Sequence, residues 1–160
     1  MNEIHVFVRP LTRQDAAISC LWRNDPDVWR FTGKKPDRVV TVSMEEAWYD
    51  AVSRDPARRN FAICAQREKV ITYVGNAYLT DISKVDAQLH IFIGNKEFWG
   101  KGVGTATTKA LLVIAQNELH LRRIWLMVQQ DNNSAISVYK KVGFVVTEVD
   151  PMKMEIFLRS

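Results

Sequence analysis

The segment of this chain with the most chemical content is Gly94-Asn95-Lys96-Glu97-Phe98-Trp99-Gly100-Lys101-Gly102-Val103-Gly104-Thr105. Gly100, Gly102 and Gly104 fall at every second position, so the backbone N–H groups around them can turn toward one point with no Cβ in the way. A nearly continuous apolar run, Leu89-His90-Ile91-Phe92-Ile93, precedes the loop, and a helical pattern follows it. Donors at a helix start lack intrahelical acceptors and lie at the positive end of the dipole, which suits an anion. The pattern predicts a phosphate or pyrophosphate cradle; the alternative is a flexible loop with a glycine cap. Spacing excludes two familiar cradles. Gly94 and Gly100 are separated by five residues and Gly102 follows Lys101, so the loop is no Walker A motif. G-x-G-x-G past mid-chain is not the G-x-G-x-x-G that opens a dinucleotide-binding unit.

Periodicity supplies the elements that must hold this loop. Val6-Phe7-Val8 predicts a strand ended by Pro10, and Thr12 with Asp15 at its N3 position predicts a helix to about Arg23. Asp25-Pro26-Asp27 starts a short helical piece through about Phe31, and Gly33 to Asp37 is a loop. Ser43-Met44-Glu45-Glu46 fits a capping box and opens a helix to about Arg54. Phe61–Gln66, Val70–Thr80 (with Gly75 as a bulge) and Leu89–Ile93 read as strands, the last covered on both faces. Thr107, Ala110, Leu111, Ile114 and Ala115 form one helical face. Ile124–Val128 is a buried strand, Asn133–Val142 a helix stopped by Gly143, and Phe144–Val149 with Met152–Leu158 a hairpin around Asp150-Pro151. The order β-α-α-α-β-β-β-α-β-α-β-β predicts an α/β (α+β) fold with one long mixed sheet.

Composition bounds the class. At 160 residues the chain suits one domain, residues 1–160, burying roughly two thirds of its unfolded surface without staples. Apolar residues are 47% and charged residues 25%, as in a folded globular protein. The 22 Lys+Arg against 18 Asp+Glu leave +4, too mild and too scattered to argue for nucleic acid, though it admits an anionic small molecule. Cys20 and Cys64 stand in apolar surroundings and read as reduced core thiols; no metal-ligand spacing occurs. The longest apolar run, Ala110–Ala115, is too short for a membrane, and the N-terminus lacks a signal-peptide core. The expected location is the cytoplasm, where the sequon Asn132-Asn133-Ser134 has no glycan to take.

Phe98-Trp99-Gly100-Lys101-Gly102-Val103-Gly104-Thr105 resembles the acetyl-CoA pyrophosphate loop of the GNAT N-acetyltransferase superfamily, whose signature is Q/R-x-x-G-x-G/A. A second signature follows in order: Val128-Gln129-Gln130-Asp131-Asn132, then Ala135, Tyr139 and Gly143-Phe144 resemble V-x-x-x-N-x-x-A-x-x-x-Y-x-x-x-G-F. The resemblance is strongest from Val70 to Phe144. Arg9-Pro10-Leu11 and Trp22-Arg23-Asn24-Asp25-Pro26 look like the opening of the branch with the ribosomal-protein and polyamine acetyltransferases. Trp99 stands where Gln or Arg is usual, so that position offers no polar phosphate ligand from its side chain, while the backbone donors remain.

The resemblance implies a GNAT-like mixed sheet of about seven strands with four to five helices, and direct transfer of acetyl from acetyl-CoA to an amine. It implies that the backbone of Ile91, Phe92 and Ile93 pairs with the pantetheine arm, and that Trp99, Gly100, Lys101, Gly102, Val103, Gly104 and Thr105 hold the pyrophosphate. Asn132 would bond the cofactor near its pantetheine part, and Lys101, Lys109, Lys140 and Lys141 are candidates for remaining phosphate charge or simply a solvated basic face.

Tyr139, a phenol with an ordinary pKa near ~10, is protonated at neutral pH and suits protonation of the departing thiolate. The alternative is a core tyrosine. His90, the one histidine on a central strand, suits the general base with an ordinary pKa of roughly 6.5, directly or through water, or is a satisfied core histidine. Gln88 stands where many relatives carry a carboxylate, and an amide cannot serve as a base. Trp22, Trp29 and Trp48, with Asn76 and Tyr78, are the expected acceptor-pocket residues, or ordinary helix-to-sheet packing. The acceptor would be an amino sugar, polyamine, antibiotic or protein N-terminus, with a small molecule favoured. A homodimer stays open, as do a non-catalytic CoA-binding module and, on charge alone, a nucleic-acid-binding domain.

Overall fold

The computed structural model describes residues 3–30 and 32–159. Its elements are β1 (Ile4–Pro10), α1 (Ala16–Arg23), α2 (Pro26–Trp29), α3 (Val42–Val52), β2 (Arg59–Arg67), β3 (Val70–Thr80), β4 (Asp86–Ile93), α4 (Val103–Asn117), β5 (Arg123–Met127), α5 (Asn133–Val142), β6 (Val145–Val146) and β7 (Lys153–Phe157). The seven strands form one sheet in the order β1-β2-β3-β4-β5-β7-β6. Only β4 and β5 run parallel; the other neighbours are antiparallel. The α+β sheet and the element order match the expectation from sequence. Phe31, the expected end of the second helical piece, lies outside the described residues.

Local chemistry sets the helix starts. Asp15 accepts the Thr12 N–H at 2.8 Å and grips Arg9 through both carboxylate oxygens at 2.8 Å each, tying the end of β1 to the turn before α1. Asp25 accepts from Asp27 N at 3.0 Å, with Pro26 at the first helical position of α2. The capping box expected at Ser43–Glu46 does not form. Thr41 takes the cap instead, accepting from Met44 N at 3.2 Å, and Glu46 pairs with Arg13 at 2.7 Å.

The sheet has two apolar sides because side chains alternate along each strand. On one side Leu89, Leu111, Ala115, Ile124, Leu126, Tyr139, Phe144 and Met154 pack beneath α4 and α5. On the other, Leu11, Ala62 and Tyr78 are buried with Trp48, Tyr49, Tyr73 and Phe92 beneath the first helices. Cys20 and Cys64 are buried free thiols, as expected. Among the described residues no helix is long and apolar enough to cross a membrane.

Candidate active site

The site begins where two strands part. β4 pairs with β5 only from Asp86 to Gln88, opposite Arg123 to Trp125. Arg123 pins this root, donating to Asp86 at 2.9 Å and to Glu155 of β7 at 2.7 Å. Beyond Gln88, β4 keeps its partner β3 but has lost β5. Gly94 N points to β3, bonding Val74 O at 2.8 Å, whereas Ile93 O points away, accepting from Trp99 Nε1 at 2.8 Å. Strand alternation then turns the N–H and C=O of Ile91 and the N–H of Ile93 into the gap, and Phe92's toward β3. The Ile91–Ile93 edge is thus open for an added strand, with Ile93 O already occupied and Phe92's backbone facing the sheet.

Glycines keep this edge in place. The register slips between Ile63 and Cys64, leaving Val74 as the bulged residue beside Gly75, and Val74 O collects both Gly94 N and Asn95 N at 2.8 and 3.0 Å. A Cβ on Gly75 would lie 2.2 Å from Phe92 O, and one on Gly94 would lie 1.9 Å from the Trp22 ring. Gly94 therefore admits the buried Trp22, which packs on Tyr73 at 4.8 Å and edge-on to Phe92 at 6.1 Å.

The cradle follows a 3-10 turn, Lys96–Phe98. Gly100 and Gly102 have φ of +70° and +81°, with open space where a Cβ would stand. Gly102 precedes the first turn of α4, where Ala106 N bonds Gly102 O at 3.1 Å. The N–H groups of Val103, Gly104 and Thr105 have no acceptor among the described residues, so three donors converge at the positive helix end. Gly104 differs from the other two: it lies inside α4, and an added Cβ would meet only Val138 at 3.9 Å. Lys101 turns away, its Nζ bonding Glu97 O at 2.5 Å.

A cavity of about 600 Å³ joins cradle, open edge and the far side of the sheet. Asn132 and Tyr139 line it from α5. Asn132 Oδ1 caps the helix, accepting from Ala135 N at 3.2 Å, which leaves its amide N–H₂ as the free donor. Tyr139 is 9% exposed and packs edge-on to Phe144 at 5.7 Å. Its hydroxyl makes no hydrogen bond among the described residues, and burial pushes the phenol up to about 12.

His90, Tyr78, Trp22, Trp29 and Trp48 line the other end of the cavity. His90 Nε2 lies 2.8 Å from Thr80 Oγ1. Burial, then the nearby cations Lys34 and Arg58, push the imidazole down to about 4, so it is neutral at pH 7. Asn76 stands behind this wall, fully buried, accepting from the Tyr73 hydroxyl and donating to the Tyr78 hydroxyl at 3.0 Å. It orients Tyr78 and does not line the cavity. Sequence reasoning missed Arg23, Lys34 and Arg58, which also line this end. They come from three separate segments, so no spacing announces them.

The fold and site have relatives. The acetyltransferase (GNAT) domain family model matches residues 5–145. The chain is 30% identical over 143 residues to the spermidine N(1)-acetyltransferase of Escherichia coli K12, covering 88% of this chain and 73% of that protein. The fold resembles the crystal structure of a Vibrio cholerae spermidine N-acetyltransferase in complex with CoA and spermine (TM-score 0.81, 22% identity, 95% of each chain). It also resembles a domain from Methanocaldococcus jannaschii (TM-score 0.81, 18% identity, 98% of this chain and 100% of that one). The chain belongs to the GNAT acetyltransferase family and is an acetyl-CoA-dependent N-acetyltransferase.

Proposed function

We propose that this enzyme acetylates the primary amine of a small molecule by direct attack within a ternary complex. The observation that carries the reading is the parted edge of β4, with unpaired Ile91 and Ile93 N–H groups, lying between the α4 cradle and the Tyr139 hydroxyl on one cavity. Val103, Gly104 and Thr105 N–H groups hold the pyrophosphate. Ile91 C=O and the two strand N–H groups bond the amides of the pantetheine arm, with the Asn132 amide beside them. The amine nitrogen attacks the thioester carbonyl; the C–N bond forms, the C–S bond breaks, and Tyr139 O–H gives its proton to the departing sulfur. His90 is neutral but weakly basic, so it takes the amine's proton after the C–N bond has formed and the nitrogen has become acidic. The acceptor enters from the face of the sheet that carries His90 and Tyr78. Two buried free thiols support a reducing cytoplasmic setting.

Thiol release measured across a panel of amines tests the reading. Amine-dependent CoA release is expected; tight acetyl-CoA binding with no release on any amine would reduce the chain to a binding module.

A further inference from the structure

The acceptor end of the cavity has an unusual charge for an enzyme whose relatives include spermidine acetyltransferases. Arg23 and Arg58 both stand over the Trp48 ring, with guanidinium carbons 4.5 and 5.6 Å from its centroid. Arg23 is neutralised by the buried Glu45: Nε donates to Oε1 at 2.7 Å and lies 2.5 Å from Oε2. Arg58 has no such partner. It lies 4.6 Å over the Tyr78 ring, and its Nε donates to Asn60 Oδ1 at 2.5 Å, which fixes its direction. Its terminal nitrogens make no ion pair among the described residues. Lys34, on the loop that rims the cavity, has no ion pair among the described residues either.

Among the described lining residues the one carboxylate is Asp27, and Lys96 occupies it at 2.7 Å. A polycation would find no free carboxylate on the described cavity wall and two cations without an ion pair; Asp81 and Asp55 lie near Arg58 but pair with neither cation. Lys34 is exposed at the rim and Arg58 half-buried; their like charges repel, which an incoming anion relieves. These groups do not belong to the cradle. Tyr78 and Phe92 pack on the first-helix side of the sheet, whereas Ile91, Ile93 and Tyr139 pack on the α4 side. Arg58 stacks on Tyr78, and Tyr78 pairs with His90 across β3 and β4, so the cations sit beside the proposed base.

We propose that the acceptor amine carries an anionic group, phosphate or carboxylate, which Arg58 and Lys34 hold while Trp48 walls the site and the amine faces His90. Arg58 provides the forked donors that match either anion, and Lys34 a point charge at the rim. This inference rests on the acetyl-transfer reading and narrows its acceptor from any small amine to an anionic one.

The test uses the full-length enzyme saturated with CoA and two matched pairs of ligands: glucosamine 6-phosphate against glucosamine, and γ-aminobutyrate against butylamine. Spermidine is the cationic comparator. Titration calorimetry should show the anionic member of at least one pair binding tenfold or more tighter than its uncharged-tail partner, and spermidine not binding. The phosphate and carboxylate pairs separate the two anion sources. The preference should shrink several-fold from 0.05 to 0.5 M NaCl. It should fall at least tenfold in Arg58→Gln and partly return in Arg58→Lys, with acetyl-CoA affinity unchanged throughout. Equal affinities within both pairs, tighter spermidine binding, or a loss of acetyl-CoA affinity in Arg58→Gln would each overturn the proposal. Failure of the wild type to bind acetyl-CoA would instead refute the acetyl-transfer reading beneath it.

Discussion

The indole of Trp99 donates to the backbone carbonyl of Ile93 at 2.8 Å. One side chain from the cradle thus closes the last acceptor on the open edge of β4 and ties the loop to the strand. The resemblance to relatives leaves this position without a polar phosphate ligand, and the structure gives the indole a positioning task instead.

Replacing Trp99 with Phe keeps an aromatic ring, though a smaller one, and removes that bond. A single such bond contributes about 1 kcal/mol, so the KM for acetyl-CoA should rise several-fold with kcat little changed. Steady-state kinetics with varied acetyl-CoA checks this; an unaltered KM would remove Trp99 from the positioning of the loop.

The three glycines should respond unequally. Gly102→Val forces a β-branched residue to φ near +81°, where L-residues carry a cost of roughly 1–2 kcal/mol or more, and it places a side chain beside the donors. Gly104→Ala meets Val138 only at ordinary contact distance. Thermal melts with and without acetyl-CoA should show the ligand-induced rise in Tm abolished in the first variant and retained in the second.

Tyr139→Phe should lower kcat by about 10²–10⁴ and leave the Kd of acetyl-CoA near the wild-type value, since the ring still packs on Phe144. Because the phenol is held up at about 12, the wild-type kcat should show no loss from Tyr139 ionisation between pH 7 and 10. A full-rate Phe variant would end the assignment of Tyr139 as acid.

His90 makes stability depend on pH. Its folded pKa of about 4 lies below the ordinary value of 6.5, so between those limits the unfolded chain binds more protons. Stability therefore rises with pH across that window and is lost as pH falls through it, by up to about 3 kcal/mol from this group. Urea melts at pH 4.5, 5.5 and 7.5 should show His90→Gln with a shallower decline than wild type; parallel curves would mean that the imidazole is not desolvated.

What the sequence made legible was local. The glycine-rich loop before α4, the span of α5 and the Gly143 stop each lie within one strand–loop–helix stretch, where spacing in sequence is spacing in space. Thr41 displaced Ser43 as the cap of α3 because Arg13, distant in sequence, draws Glu46 away from the role the box requires. Gly94 reads as a loop glycine until Trp22 is seen against it. Arg23, Lys34 and Arg58 have no shared spacing; packing of the first helices over the sheet brings them together around Trp48.

Amide chemical shifts of the ¹⁵N-labelled enzyme, recorded while CoA is titrated in, bear on the whole account at once. Ile91 and Ile93 should move together with Gly100, Gly102, Val103, Gly104 and Thr105, and Phe92, whose N–H faces β3, should move less. Saturation with those resonances unmoved, or with the changes confined to a different edge of the sheet, would contradict it.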